Sequence, residues 1–268
     1  MGERLMSNFY HYVISAKNAE DRRASILTNF QSHGVEPQFF DAIMGNELTP
    51  KELESLAVDL GVMRLGEVGC ALSHLGVYKN LLESQKPYIF VFEDDVQLNT
   101  VFFQELADLQ KFLDRHTEPL VLLLYKAVAH TKPIVYKEGK PFILRALAGT
   151  DGHGYVINRK AAENILRFQT PPRIEIDAWA QYLKFNLLEI YCMEEKLVQL
   201  NALYAQNSLI DTIASRDRKD LKYLKKMKQK RIDDFYNQLS LSEKLLLQGK
   251  RFWRHIQELY YDKEVQSK

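Results

Sequence analysis

The chain has 268 residues, 46% hydrophobic and 26% charged, with a formal net charge of +1. That is ordinary for a soluble globular protein with one sizeable core, or one domain with an appendage. The opening "MGERLMSNFYHYVIS" lacks the apolar stretch of a signal peptide, and no segment approaches the roughly 18 uninterrupted apolar residues that span a bilayer. The expectation is a cytoplasmic protein, if attached to a membrane then only peripherally.

The overall balance conceals an asymmetry. Residues 216–268 hold 15 Lys/Arg against 8 Asp/Glu, so this segment carries +7 and the rest about −6. The two cysteines, Cys70 and Cys192, are far apart and outside any metal-ligand spacing. They read as buried small hydrophobes in a reducing compartment.

In chain order, "FYHYVIS" (9–15) reads as a first strand, closed by polar "AKNAEDRR". A helix follows from about Glu20 to Gln31 and stops at Gly34. "PQFFDAI" (37–43) is a short strand. "TPKELESLAVDLG" is a helix capped by Thr49, with Pro50 in its first turn and Gly61 at its end. "GEVGCALSHLGVYKNLLESQK" (66–86) is another. Tyr88 to Phe92 is an apolar buried strand that runs directly into Glu93, Asp94 and Asp95. The helix "TVFFQELADLQKFLDRH" comes next, then strands at 119–127, 141–149 and 154–158, and a helix at 159–168. Pro171 and Pro172 break the chain. "DAWAQYLKF" is a short helix and "LEIYCMEEKLVQL" one or two strands. The alternation predicts an α/β fold with a largely parallel central sheet flanked by helices. From about Ser215 the chain becomes Lys/Arg-rich and helical, in two helices joined near Ser240 and Ser242.

Three adjacent carboxylates repel one another and are costly to desolvate unless something neutralises them. Alternation along a strand puts Glu93 and Asp95 on one face and Asp94 on the other. Open α/β sheets bind ligands beyond the carboxyl ends of their strands, and a two-carboxylate face there suits Mg²⁺ or Mn²⁺. A solvated turn with helix-capping acids is the plain alternative. A phosphoacceptor aspartate fits poorly with the late position of the acids and the chain length.

Other stretches accompany the trio: "VISAKNAEDRR" and "FFDAI" near the start, "GEVGCALSHLGVYKNLL" before it, then "GTDGHGYVINRKAAENIL" and "RIEIDAWAQYL". In this order, from about Phe9 to Ile213, the chain resembles glycosyltransferase family 25, bacterial lipooligosaccharide galactosyltransferases with collagen galactosyltransferases as relatives. The resemblance implies a GT-A-like, Rossmann-type catalytic domain over 1–214. It also implies a UDP-sugar donor, Mn²⁺ or Mg²⁺, inversion at the anomeric carbon, and a lipid-linked oligosaccharide acceptor at the inner face of the inner membrane. The basic helical extension, 215–268, lies outside it.

Such chemistry needs a cation for the departing diphosphate and a base for the acceptor hydroxyl. Asp95 is the expected metal ligand. Glu93 shares the metal or holds the donor, and Asp94 braces the turn. The trio stands where the family carries its DXD-like motif, with Glu in the first position. Asp177 and Asp151 compete for the base. Asp177 opens a helix and has a capping alternative; Asp151 sits in a glycine-flanked loop and has a turn alternative. The resemblance favours Asp177 as base and Asp151 as a sugar or acceptor contact. Glu67, Cys70 and His74 share a helix face, where a lone histidine is more often structural than ligating. By the resemblance Ser73 and His74 join the donor pocket, with Ser15, Arg22 and Arg23 around the end of strand one and Ser208 in "QNSLID".

The leading expectation is therefore transfer of galactose from UDP-galactose, with UDP-glucose or a UDP-N-acetylhexosamine as the rival donor. A glycoside hydrolase also pairs carboxylates, without a metal. A non-catalytic membrane or nucleic-acid adaptor is the rival of another class. The tail, with Lys222, Lys225, Lys226, Lys228, Lys230 and Arg231, reads either as core-covering or as facing an anionic membrane. No nucleic acid is expected, since no recognised module accompanies the charge.

Overall fold

The computed structural model describes residues 9–56, 60, 62–149, 151–204, 218–260 and 264–265. Strand β1 (His11–Ser15) leads into helix α1 (Glu20–Gln31), whose bounds match those expected. Glu20 and Asp21 occupy its first turn, where the helix dipole favours negative charge, and Ile26 and Phe30 are buried. Gly34, at φ 73°, takes the left-handed conformation that glycine adopts without strain. The turn returns the Val35 N–H to the Phe30 carbonyl at 3.1 Å.

Strand β2 (Phe39–Asp41) is shorter than its apolar pattern. Helix α2 (Pro50–Ser55) opens with a capping box: Thr49 Oγ1 accepts from the Glu52 N–H, and the Glu52 carboxylate accepts from the Thr49 N–H at 2.7 Å. It ends at Ser55, short of Gly61, which lies with 57–59 outside the described residues. Helix α3 (Leu65–Glu83) follows. A Cβ on its Gly69 would lie 2.4 Å from the Ile43 carbonyl oxygen and 2.6 Å from the Gly45 nitrogen. Glycine thus lets α3 approach, backbone to backbone, the segment that follows β2.

The chain continues through β3 (Tyr88–Glu93), β4 (Val96–Leu98), α4 (Phe102–Arg115), β5 (Leu120–Leu123), β6 (Ala129–Lys137), β7 (Lys140–Ala148) and β8 (Gly154–Asn158). Then come α5 (Arg159–Phe168), α6 (Trp179–Lys184), β9 (Glu189–Met193), β10 (Val198–Leu200), α7 (Arg218–Gln238), α8 (Leu241–Tyr260) and β11 (Glu264–Val265). Strand β6 was not expected. It contains Pro133 and shifts register against β7, which blurs its alternation. Its signal is the turn: Glu138 and Gly139 both have positive φ, as a two-residue type I′ hairpin requires.

The main sheet runs β11-β6-β7-β9-β5-β8-β3-β1-β2, and β4 pairs with β10 separately. The fold is α/β, with strand directions mixed. Pairing is parallel between β1 and both β2 and β3, and between β5 and β9. Strand β8 runs antiparallel between β3 and β5. Its first residue, Gly154, therefore pairs with Phe92 at the end of β3, and the loop before it is delivered to the three carboxylates.

Alternation along β1 and β3 separates two cores. Val13, Phe90 and Phe92 pack with Ile26, Phe30, Phe102 and Leu106 on the α1/α4 side. Ile14, Ile89 and Val91 pack with Leu75, Tyr78 and Ile165 on the α3/α5 side. Ile232, Phe235 and Leu247 of α7 and α8 join that second core. The Phe235 ring lies 4.7 Å from that of Phe168, Arg231 donates to the Pro172 carbonyl, and Lys228 pairs with Glu175. Ser240 and Glu243 form the capping box that opens α8. One face of each tail helix thus covers the body. The boundary expected at 214/215 lies outside the described residues.

Candidate active site

A cavity of about 790 Å³ opens beyond the carboxyl ends of β1 and β3, against α3. Ser15, Arg22, Ser73, His74, Glu93, Asp94 and Asp95 all line it, together with Ile43, Met44, Asn46, Met63 and Arg64. Seven of the expected residues, drawn from four separate segments, thus meet at the place where open α/β sheets bind ligands.

Strand β3 ends at Glu93, so Asp94 and Asp95 stand in the turn that follows: Glu93 faces His74, while Arg22 lies near both aspartates. Asp94 is buried toward α1, where its carboxylate accepts from Ser15 Oγ at 2.8 Å and from Arg22 Nη1 at 2.7 Å. It braces the turn. The Asp95 carbonyl is pinned by the Asn201 N–H at 2.7 Å, but Asp95 Oδ1 is buried with no hydrogen-bond partner. Arg22 Nη1 stands 4.0 Å from its other oxygen. Burial, reinforced by Glu93 and Asp94, pushes the Asp95 carboxyl up to about 7. An orphaned buried carboxylate oxygen beside a second carboxylate fits a hard divalent cation, which oxygen donors bind and whose charge would reverse that shift.

Glu93 faces the α3 side, with Oε1 3.5 Å from His74 Nε2. Burial opposes its ionisation, but His74, with His153 and Arg22, outweighs burial and holds the carboxyl below the usual range. His74 Nδ1 lies 2.6 Å from Tyr155 Oη, which lies 2.7 Å from Tyr78 Oη. Burial pushes both phenols well up, so each remains a donor. Tyr78 donating to Tyr155, and Tyr155 to Nδ1, leaves the Nε2–H of His74 facing Glu93. Sequence reading missed this relay, although "HGYV" contains Tyr155.

Two neighbours on α3 differ from expectation. Glu67 turns away to accept from the Arg64 N–H at 2.8 Å, capping the helix. Cys70 is not simply a buried hydrophobe: it lines the cavity, and its Sγ, a His74 ring nitrogen and a Glu93 oxygen lie within 4.8 Å of one another. Helical i, i+4 spacing was the available signal. Burial, with the charges of Glu93 and Asp177, pushes the Cys70 thiol well up; a sulfur-bearing set suits zinc better than magnesium. Ser73 lines the cavity while bracing it, accepting from the Ile43 N–H and donating to the Gly69 carbonyl.

Asp151 and Asp177 do not line the cavity; Asp177 lies near Glu93 across Gly152, and Asp151 is bonded to Asp177. The Asp177 side chain makes no helix cap; α6 begins after Ala178 without a side-chain cap. Instead its Oδ2 accepts from the Asp151 N–H at 3.1 Å. Burial, then the charge of Glu93, pushes Asp177 up to about 6. Asp151, at φ 74°, is exposed and contributes backbone. Its carbonyl accepts from Tyr125 Oη at 2.5 Å and Trp179 Nε1 at 3.0 Å. Gly152 packs between the acids: a Cβ there would meet Glu93 Oε1 at 3.1 Å and Asp177 Cβ at 3.5 Å. The next residue, His153, stacks on Tyr125 and accepts the Glu93 N–H through its carbonyl at 3.0 Å.

Arg23 does not line the cavity. It clamps the ends of β1 and β2, donating to Asp41 and to the Ser15 and Ala16 carbonyls while its guanidinium covers the Phe39 ring. Ser208 lies outside the described residues.

An α/β sheet with a carboxylate cluster, a raised aspartate and a cavity at its strand ends has the make-up of an enzyme's active site. Residues 9–180 match the model of glycosyltransferase family 25, described as an LPS biosynthesis protein, and the chain belongs to that family. It is 29% identical over 227 residues to the lacto-N-neotetraose biosynthesis glycosyltransferase LgtE of Neisseria gonorrhoeae, covering 78% of this chain and 81% of that one. Against LgtB of Neisseria meningitidis serogroup B the figures are 30%, 78% and 82%. Against the lipooligosaccharide biosynthesis protein lic2B of Haemophilus influenzae they are 28%, 58% and 61%. The chain is a glycosyltransferase.

Proposed function

We propose that this enzyme transfers galactose from UDP-galactose, with inversion, to a lipid-linked oligosaccharide of lipooligosaccharide synthesis. The observation that carries the reading is the meeting of Asp177, raised to about 6, with the Glu93–Asp95 cluster across Gly152. Asp177 is a stronger base than an ordinary aspartate, yet still ionised at neutral pH, which suits removal of a proton from an acceptor hydroxyl. In-line attack by that oxygen forms the new glycosidic bond while the bond to the diphosphate breaks, inverting the anomeric carbon. Asp95 and Glu93 would hold Mn²⁺ or Mg²⁺, which supplies charge stabilisation for the leaving diphosphate. Arg22 fixes the turn through Asp94, and the apolar wall of Ile43, Met44 and Met63 suits the flat face of a uracil.

In this reading the enzyme works at the cytoplasmic face of the inner membrane, and the exposed Lys222, Lys225, Lys226 and Lys230 of α7 support an anionic surface as its partner. The test is UDP release from a panel of UDP-sugars, with Mn²⁺ and with excess chelator. UDP-galactose is expected to turn over only with metal. Preference for UDP-glucose or a UDP-N-acetylhexosamine would overturn the donor, and full activity in chelator would overturn the metal site.

A further inference from the structure

Helix α8 docks one face on the body and leaves a second, apolar face outside. Leu247 is buried in the core, Arg254 donates to the Leu183 carbonyl and Arg251 to the Lys184 carbonyl. At 100° per residue these three fall within an arc of about 60°. On the other side Leu241, Leu245, Leu246, Phe252 and Trp253 are each 60% exposed or more. They fall within an arc of about 140°, with Gly249 inside it. Large side chains scattered singly over a surface need no explanation, but five on one helix face do.

The chemistry around that face identifies its occupant. Lys244 and Lys250 border it, and α7 exposes Lys222, Lys225, Lys226 and Lys230 in the same two-helix unit. Glu243 of α8 is on the docked side and paired with Arg167 at 2.8 Å. Residues 216–268 carry +7, so packing this face on its copy in a second molecule would bring like charge to like charge. A Trp, Phe and Leu face with lysine flanks is the composition of helices that lie in the headgroup layer of a bilayer.

We propose that α8 is a monotopic membrane anchor whose outer face enters an anionic lipid surface, with the lysines on the headgroups. The proposal deepens the electrostatic attachment suggested above and rests on it, but it can fail while that attachment holds. Electrostatic attachment leaves Trp253 in water; insertion removes it. The docked face meanwhile fixes the anchor to the body that carries the catalytic cavity.

The chain has two tryptophans, and Trp179 is fully buried, so Trp253 is the environment-sensitive reporter. Emission is recorded on adding vesicles of phosphatidylethanolamine with phosphatidylglycerol, and vesicles of phosphatidylcholine alone. The expected result is a blue shift with the anionic vesicles, quenched by acyl-brominated lipid and abolished by Trp253→Phe. Leu245→Ser with Phe252→Ser is expected to lower vesicle partitioning about tenfold or more, leaving thermal stability and transfer to a soluble acceptor unchanged. Co-sedimentation without a blue shift would overturn insertion and leave attachment by charge alone. A blue shift that grows with protein concentration in the absence of lipid would assign the face to a second copy and overturn the anchor. Absence of any vesicle binding would overturn both membrane readings while leaving the sugar-transfer reading untouched.

Discussion

The backbone N–H of Asp151 donates to Oδ2 of Asp177 at 3.1 Å, joining two acids that lie 26 residues apart. Asp177 contributes a carboxylate to this bond and Asp151 its backbone, and in the reading proposed above Asp177 is the base. Asp177→Asn is therefore expected to lower turnover by about 10²–10⁴, with UDP affinity nearly unchanged. Asp151→Asn, which keeps the N–H and tolerates positive φ, should retain most activity. Steady-state rates and calorimetric UDP titration distinguish the two, and the reverse pattern would exchange the roles.

Gly152→Ala probes the same junction sterically. The new Cβ would lie 3.1 Å from Glu93 Oε1 and 3.7 Å from His74 Cε1, a contact that the carboxylate relieves by moving. Activity should fall substantially while the midpoint of chemical denaturation changes by less than about 1 kcal/mol. A large loss of stability with normal specific activity would show that the loop, not the carboxylate, gives way.

Asp95 and Asp177 have folded-state pKa values of about 7 and about 6, above the usual carboxylate value. The folded state then binds more protons than the unfolded state between about pH 4 and 7, so stability falls as pH rises through that window. Metal-free protein should melt at lower temperature at pH 8 than at pH 5, and Asp95→Asn should flatten the dependence, by on the order of a few kcal/mol. Calorimetry across pH measures it. In the proposed reading, Mn²⁺ held by Asp95 would have to displace its proton, so metal-dependent UDP affinity should rise as pH passes about 7.

Arg22→Ala leaves the buried Asp94 carboxylate without its cation. Breaking such a pair by removing one member costs about 3–5 kcal/mol, read by denaturant titration. Asp94→Asn removes the buried charge and can still accept from Ser15 Oγ, so it should cost less. Equal losses in the two variants would show that Arg22 acts through other contacts.

Local order was legible in the residues themselves. The bounds of α1, the Thr49 cap, and β8 with α5 all follow from periods of 3.6 and 2 and from capping chemistry. The backbone enforces these within a few residues. Strand β6 escaped because a proline and register shifts interrupt its period. So did the end of α2, where apolar pattern continued past the last described helical residue.

The identities of the candidate acids were readable one at a time; what they do to one another was decided by tertiary structure. The reversed direction of β8 sets Asp151–His153 against Glu93, and the close approach of α3 at Gly69 sets Cys70 and His74 there as well. The shifts of Asp95 and Asp177 arise from desolvation and from charges on other segments, quantities that depend on distance through space and not along the chain. The tail shows the same division. Its +7 is a property of composition alone. Whether Leu247 or Trp253 meets solvent depends on which side of α8 the body occupies, and only the packed structure chooses that side.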